Sequence, residues 1–120
     1  MIKSFEDLEV YQLSISLSKR IYLTIKNFPI EERFVIVNQL MRAVTSIGAN
    51  IAEGFGRNST KEFLKFLYNS RGSLMEVRHF LILSKELDYL SSNEFQKISE
   101  DCNCLGIKLN NLINSLNKKL

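Results

Sequence analysis

The sequence predicts an all-α protein, an antiparallel up-and-down four-helix bundle. The 120-residue chain contains one proline and five glycines, so few residues interrupt its helices. Its apolar residues recur every three or four positions over most of its length, which is typical of amphipathic helices. The helical segments are similar in length and joined by short links, so consecutive helices must run in opposite directions.

Each predicted helix has its own start and stop signals. The Phe28-Pro29 step ends helix one, because a residue before proline avoids the helical region. Gly54 and Gly56 are expected to end helix two in the left-handed conformation that glycine tolerates. Helices three and four begin at capping boxes, each a serine followed three residues later by glutamate. The predicted helices span about residues 8–27, 31–53, 60–88 and 92–117 of a single domain, residues 1–120.

The apolar faces of the first and last helices are the clearest in the sequence. Helix one carries two apolar stripes, whereas one stripe is enough for packing into a four-helix core. We interpret the second stripe as a contact between subunits. The stripes comprise Leu8, Tyr11, Ile15, Tyr22 and Ile25, and Val10, Leu13, Leu17, Ile21 and Phe28. The predicted inner face of helix four comprises Ile98, Cys102, Leu105, Leu109, Leu112 and Leu116.

Composition and charge limit the classes of function. The 16 basic and 13 acidic residues give a formal net charge of +3, which permits nucleic-acid binding but is modest for a dedicated binding domain. The N-terminus has no apolar signal core, and no run approaches the roughly 18 apolar residues of a membrane span. Cys102 and Cys104 would lie on different sides of a helix, so we expect reduced thiols. These features predict a cytoplasmic protein without membrane contact.

A polar file runs along the otherwise apolar second helix. Its members are three or four positions apart, which keeps them within roughly 80° of one another around the helix axis. A complementary file on helix three spans about 60°. We interpret the two files as a structural polar seam that sets helix register, either within one subunit or between subunits. The polar seam comprises Gln39, Arg42, Ser46, Asn50, Glu53, Glu62, Asn69, Ser73 and Glu76.

The sequence contains no recognisable catalytic or metal-binding constellation. Glu76-x-x-His79 matches part of a di-iron site, but that site needs two such motifs and the chain has a single histidine. Gly54-Phe55-Gly56 follows a helix rather than a strand, unlike a phosphate-binding loop. We therefore expect no enzyme activity, no metal and no cofactor. The alternative, an enzyme or metal protein, would use a cluster of Arg42, Glu53, Glu62 and Glu76.

Basic side chains are the strongest functional lead. Arg71, Arg78 and Lys85 recur every seven residues and so form one stripe along helix three. If several copies assembled, such stripes would repeat and form a salt-sensitive surface for phosphates that does not read sequence. A merely solvated charged face is the alternative interpretation. The candidate nucleic-acid-binding residues are Arg57, Lys61, Lys65, Arg71, Arg78 and Lys85.

The chain also resembles a known family over about residues 5–116. The resemblance is carried by the opening FEDLEVYQ, the Phe28-Pro29-x-x-Glu32 break, and the runs QLMRAVTSIGANIAEGFGR, STKEFLKFL and RGSLMEV. These are similar to the 23S rRNA intervening-sequence protein family, also called the four-helix bundle protein family. Gly48 stands where proline is common in that family, and we expect it to loosen helix two locally.

The resemblance implies an assembly and a class of partner. It implies a homo-oligomer, with a ring-shaped pentamer as the assembly known in the family. It also implies a relation to accessory variability determinant proteins of diversity-generating retroelements, which bind nucleic acid and assist a reverse transcriptase. The leading hypothesis is a non-enzymatic homo-oligomer that binds RNA or DNA phosphates as an accessory to a nucleic-acid process, with a reverse transcriptase as a candidate protein partner. The alternative is an oligomeric scaffold that binds a protein partner and has no nucleic-acid role.

Overall fold

The computed structural model describes all 120 residues and contains four α-helices and no strands. α2 packs against both α1 and α3, and α4 packs against both α3 and α1, so the helices follow chain order around the bundle. The predicted four-helix bundle is thereby confirmed. None of the helices has the length and apolarity that crossing a bilayer requires. The helices are α1 (Glu9–Thr24), α2 (Ile36–Phe55), α3 (Thr60–Glu86) and α4 (Ser92–Asn117).

One apolar core runs through the bundle. It contains 23 buried residues, drawn from all four helices and the links between them. The molecule measures 45 × 24 × 21 Å, and α3, with 27 residues, is about 40 Å long at 1.5 Å per residue. α3 therefore extends along nearly the whole bundle, and its side chains are distributed from one end of the molecule to the other.

The first two helices differ from their predicted bounds. α1 ends at Thr24 rather than near residue 27, and a 3₁₀ turn continues the chain to Asn27. α2 begins at Ile36 rather than near residue 31. Before it, the Val35 amide donates to the Glu32 carbonyl in a 3₁₀-type bond of 3.0 Å. Val35 has φ −120° and ψ −99°, outside the helical region, so the turn and α2 cannot form one continuous helix.

Gly54 does not end α2, contrary to the prediction. The helix continues through it to Phe55, and no glycine of the chain has a positive φ. Gly54 is buried where α2 crosses α3. A Cβ atom at this position would lie 2.6 Å from the Phe66 Cβ and 3.3 Å from the Phe63 carbonyl oxygen. The missing side chain therefore permits close approach of two helices rather than a turn.

Gly48 lies at a second close approach, between α2 and α1. A Cβ atom there would lie 2.8 Å from the hydroxyl oxygen of Ser14. Ser14 is itself buried, and its hydroxyl donates to the Tyr11 carbonyl at 2.6 Å. α2 is continuous through Gly48. The glycine therefore makes room for α1 without interrupting α2.

Serine caps begin α3 and α4, as predicted. The Ser91 hydroxyl accepts the Glu94 amide, and the Glu94 carboxylate accepts the Ser91 amide, both at 3.1 Å, which completes a capping box. At α3, the Ser59 hydroxyl accepts the Glu62 amide at 3.1 Å, and the reciprocal bond is not formed. Both caps satisfy amide groups that a helix leaves without a partner in its first turn.

The two predicted stripes of α1 have different environments. Val10, Leu17 and Ile21 of one stripe lie in the core. On the other stripe, Ile15 and Tyr22 are 43% and 44% exposed. The exposed side chains border a groove against α2, so an apolar face of α1 remains on the surface of the chain.

α4 turns Ile113, rather than Leu112, fully into the core. Ile113 is 2% exposed, whereas Leu112 packs at the core edge. Leu112 follows Leu105 by seven residues, and each seven-residue step drifts by about 20° around an α-helix. Measured around the helix axis from Leu109, at the centre of the buried face, Ile113 lies about 40° away on one side, whereas Leu112 lies about 60° away on the other. The other five residues of the predicted inner face are buried.

Candidate nucleic-acid interface

The six candidate basic residues do not share one environment. Arg57 precedes α3, and the other five lie within it. The Arg57 Nη2 atom lies 2.6 Å from Glu53 Oε2, and its guanidinium carbon lies 4.7 Å from the centroid of the Phe66 ring. Because a carboxylate offsets its charge, Arg57 is the least available of the six for a phosphate.

Arg71 is positioned by α4 and by its neighbour Tyr68. Its guanidinium carbon lies 5.0 Å from the centroid of the Tyr68 ring, a cation–π contact worth about 0.5–1 kcal/mol at an exposed site. Its Nη1 atom donates to the Asn110 side-chain oxygen at 3.1 Å. These contacts hold the guanidinium over the boundary between α3 and α4 without a carboxylate partner.

Arg78 and Lys85 also face α4. Arg78 lines a groove of about 470 Å³ together with Asn103 and Ile107 of α4. The Lys85 Nζ atom lies 4.9 Å from the centroid of the Phe95 ring. The predicted stripe therefore borders α4, and its side chains take part in packing the two helices as well as facing solvent.

A second groove, of about 570 Å³, lies where the start of α3 meets the end of α4. Lys61 and Lys65 line it, and both are exposed. The Tyr68 hydroxyl, which also lines the groove, accepts a hydrogen bond of 3.2 Å from the Asn117 side chain. Glu62 contributes the one acidic side chain to the lining.

Two further lysines belong to the same end of the molecule and are absent from the predicted set. Lys118 and Lys119 directly follow α4, and they are exposed and form no ion pair. Their neighbours in the chain, Asn117 and Leu120, line the second groove. An up-and-down bundle brings the end of its fourth helix beside the start of its third, so topology and charge together predict this proximity. We call Lys61, Lys65, Lys118 and Lys119 the lysine cluster.

The polar seam forms a hydrogen-bonded link at its centre. The hydroxyl oxygens of Ser46 and Ser73 lie 2.6 Å apart and join α2 to α3. The Asn50 side-chain nitrogen donates to the Ser46 carbonyl at 2.8 Å and to the Ser46 hydroxyl at 3.2 Å. This part of the seam lies within one chain and connects two neighbouring helices.

The charged members of the seam are not brought together. Arg42 is exposed and takes part in none of the three ion pairs of the chain. Glu53 pairs with Arg57 instead. The α2–α3 face therefore presents polar groups to solvent rather than a closed network. The seam residues without a hydrogen-bonded side chain are Gln39, Arg42, Glu62, Asn69 and Glu76.

The carboxylates do not assemble into a metal-binding group. No three histidine, cysteine, aspartate or glutamate side chains lie close enough together to hold a metal ion. His79 is exposed on α3, with its ring centroid 4.9 Å from that of Phe80. Glu53, Glu62 and Glu76, the carboxylates of the alternative cluster, therefore do not form such a metal-holding group.

The two cysteines have opposite environments. Cys102 is fully buried in the core, whereas Cys104 is exposed, and both are free thiols. Burial raises the pKa of the Cys102 thiol to about 11, and the charge of Arg78 acts in the opposite direction. Since the reactive species is the thiolate, Cys102 is doubly protected from modification.

We expect a thiol reagent at pH 8 to modify one cysteine in each folded chain and two in each unfolded chain. Since folding raises the Cys102 pKa from 9.0 to about 11, its stabilising contribution is complete below pH 9 and is lost as the pH rises through about 11. Absorbance of the released chromophore counts the thiols, and Cys104→Ser is the control that removes the fast reaction. Two rapidly reacting thiols in the folded protein would contradict the buried position of Cys102.

The fold and these surfaces define a four-helix bundle whose candidate sites are open grooves between neighbouring helices. A family model described as the 23S rRNA-intervening sequence protein matches residues 6–111. The chain therefore belongs to the 23S rRNA-intervening sequence protein family, which confirms the resemblance predicted from its motifs.

A solved structure agrees with this assignment. The crystal structure of a protein of unknown function from the S23 ribosomal protein family of Bacteroides thetaiotaomicron is similar, with a TM-score of 0.81 and 27% sequence identity. The match covers 88% of this chain and 95% of that chain. No curated protein matches the chain. The comparisons thus show the fold and the family of the protein.

Proposed function

We propose that the protein is a non-enzymatic, cytoplasmic homo-oligomer that binds the phosphate backbone of RNA or DNA. In this role it serves as an accessory to another nucleic-acid process, and a reverse transcriptase is one candidate partner. The observation that carries the proposal is the lysine cluster beside the exposed ring of Tyr68. These four lysines form no ion pair, so their charge is available to an anionic ligand.

The charges continue from the lysine cluster along one boundary of the bundle. Arg71 and Arg78 follow along α3 on its α4 side, without carboxylate partners. Because residues seven apart on a helix are separated by about 10 Å, the spacing suits successive contacts with a phosphate backbone rather than recognition of a single small anion. The family description, which names 23S rRNA, is consistent with this class of ligand.

Assembly into an oligomer increases the positive charge that one particle presents to a nucleic acid. One chain carries a formal charge of +3, so a ring of five would carry about +15. Several basic boundaries held in one particle bind a long polyanion through linked contacts, and each contact raises the effective concentration for the next. The pentamer proposed for this chain thereby converts a weakly basic bundle into a nucleic-acid-binding particle.

We expect Lys65→Glu to weaken binding of a labelled RNA hairpin and a DNA duplex several-fold and to reduce the slope of log affinity against log salt by about one per lost contact. Fluorescence anisotropy over a salt series measures both quantities. Lys97→Glu is the matched control, because it changes the charge equally at an exposed site about 30 Å along α4 from Lys118. Light scattering on each sample verifies the mass of the particle.

The same measurements test the proposal itself. A wild-type oligomer that binds neither probe at low salt would contradict a nucleic-acid role. Equal loss of affinity with Lys65→Glu and Lys97→Glu would show a response to net charge alone and would contradict the lysine cluster as the interface.

A protein-binding scaffold is the second candidate, and one observation favours it. Met75, Ile82 and Ile107 are apolar side chains of α3 and α4 that are each about half exposed or more. Two of them, Met75 and Ile107, line the same groove as Arg78. If this boundary binds a protein, Ile107→Glu disrupts binding of the protein partner, and charge reversal at Arg71 and Arg78 leaves that binding intact. If it binds nucleic acid, the charge reversals have the larger effect.

A further inference from the structure

Tyr68 places an exposed aromatic ring beside the lysine cluster. The side chain is 42% exposed and lines the second groove together with Lys61 and Lys65. The volume of this groove, about 570 Å³, falls within the roughly 300–1,000 Å³ of clefts that hold small ligands. The groove therefore offers a flat apolar surface as well as positive charge, and a ligand that uses both must itself combine a flat ring with an anion.

Two contacts with polar side chains hold the Tyr68 ring in place. Its hydroxyl oxygen accepts a hydrogen bond of 3.2 Å from the Asn117 side chain at the end of α4. The Arg71 guanidinium carbon lies 5.0 Å from the centroid of the ring, and Arg71 in turn donates to Asn110 of α4 at 3.1 Å. The ring is thus tied to α4 at its edge and through one of its faces. A side chain ordered in this way loses little conformational freedom when a ligand packs on it.

The other face of the Tyr68 ring is directed into the groove. Arg71 follows Tyr68 by three residues, and helical side chains lean towards the N-terminus, so Arg71 covers the face towards the C-terminal half of α3. The α3 side chains that line the groove all precede Tyr68 in the chain, and they are Lys61, Glu62, Leu64 and Lys65. The groove therefore lies on the side of the ring that Arg71 leaves open, and one flat ligand can stack there.

Positive charges flank the open face. Lys65 and Lys61 precede Tyr68 by three and seven residues, which places them about 4.5 and 10 Å from it along the axis of α3. The remaining members of the lysine cluster follow Asn117 at the end of α4. Glu62 is the one carboxylate of the lining, and neither it nor any lysine of the cluster forms an ion pair within the chain. The surroundings of the ring stay cationic with Glu62 included.

We infer that the open face of the Tyr68 ring stacks on an unpaired base of single-stranded RNA or DNA, while the adjoining phosphates contact the lysine cluster. The inference rests on the proposed function and specifies its ligand as an unpaired segment. A base inside a duplex is already stacked on both faces and reaches a protein ring only when it is flipped out. Aromatic rings beside a cationic groove are the usual means by which proteins hold single strands.

Two probes of equal charge separate the base from the phosphates. One is a thymidine oligonucleotide, and the other is an abasic strand of the same length, which has the same backbone and no bases. The wild type should bind the thymidine strand more tightly. Tyr68→Leu should weaken binding of the thymidine strand about tenfold, because a lost stacking contact has an effect of this size, and should leave binding of the abasic strand unchanged. Tyr68→Phe keeps the ring and should retain the affinity of the wild type. Fluorescence anisotropy measures each affinity.

Phe34→Leu is the matched control variant. Phe34 is 81% exposed, and the Arg33 guanidinium carbon lies 5.3 Å from the centroid of its ring, so it repeats the pairing of an aromatic ring with an arginine. It lies in the turn between α1 and α2, which the Tyr89–Glu32 hydrogen bond places beside the turn between α3 and α4, at the opposite end of the bundle from the lysine cluster. Phe34→Leu should therefore bind both strands as the wild type does. Circular dichroism verifies the fold of each variant.

The outcomes distinguish this inference from the proposed function. Equal affinity of the wild type for the two strands, or an equal loss on both strands with Tyr68→Leu, would overturn the stacked base and leave a phosphate-binding protein. A wild type that binds neither strand, RNA hairpin nor duplex at low salt would overturn the proposed function, and the stacked base with it. A strand that carries 5-iodouracil should crosslink to Tyr68 on irradiation, as mass spectrometry of the digest shows. Crosslinks confined to Phe34 or to the tyrosines of α1 would contradict the stacked base.

Discussion

We expect Gly54→Ala to lower the free energy of unfolding by about 2 kcal/mol, although alanine is the better helix former. The added methyl group would lie 2.6 Å from the Phe66 Cβ and 3.0 Å from the Phe63 Cδ1. A Cβ atom is fixed by its own backbone, so no change of rotamer relieves the first contact. α2 and α3 must separate, at the most extensive helix contact of the bundle. Urea denaturation followed by circular dichroism measures the loss.

Gly72→Ala is the matched control. Gly72 lies within α3, is exposed, and would place its new methyl group with no atom within 4 Å. Here only helix propensity operates, and the substitution should raise the free energy of unfolding by about 0.5–1 kcal/mol. Opposite signs for the two substitutions support a steric role for Gly54. Stabilisation by both would show that the two helices are not in close contact at Gly54.

The second large effect is expected at the end of α4. Ile113→Ala should lower the free energy of unfolding by about 3 kcal/mol, because it removes a side chain that is 2% exposed and leaves a cavity in a close-packed core. Urea denaturation at constant temperature gives the value, provided that the slope against denaturant is unchanged.

The neighbouring residue provides the comparison. Leu112 packs at the core edge, so Leu112→Ala should cost less than half as much as Ile113→Ala. The sequence pattern taken alone predicted the reverse assignment, with Leu112 on the inner face. A larger loss at Leu112 than at Ile113 would restore that assignment and contradict the orientation of α4 in the structure.

Most of the fold was predictable because its signals are local. The serine caps before α3 and α4 and the break at Phe28-Pro29 each act within a few residues. The late start of α2 was harder to predict, since it depends on the non-helical backbone of Val35 within an exposed turn. The role of Gly54 was also hard to predict. Glycine is favoured both at a helix stop and at a close contact between helices, so the residue alone does not distinguish the two.

The candidate sites were predictable only in part. The charges of α3 follow from the sequence, whereas the contact of Arg71 with Tyr68 and Asn110 depends on how α4 packs. Lys118 and Lys119 join the lysine cluster only when the end of α4 is placed beside the start of α3. The Ser46–Ser73 hydrogen bond likewise could not be predicted without knowing how α2 and α3 are rotated relative to each other.

The sequence by itself determined the number of helices, their order and the family of the protein, because hydrophobic period, caps and breaks act between residues close in the chain. Only the tertiary structure decided which stripe of α1 remains exposed and which charges keep no partner. Those outcomes depend on helix rotation and spacing, and these are set by the packing of all four helices at once.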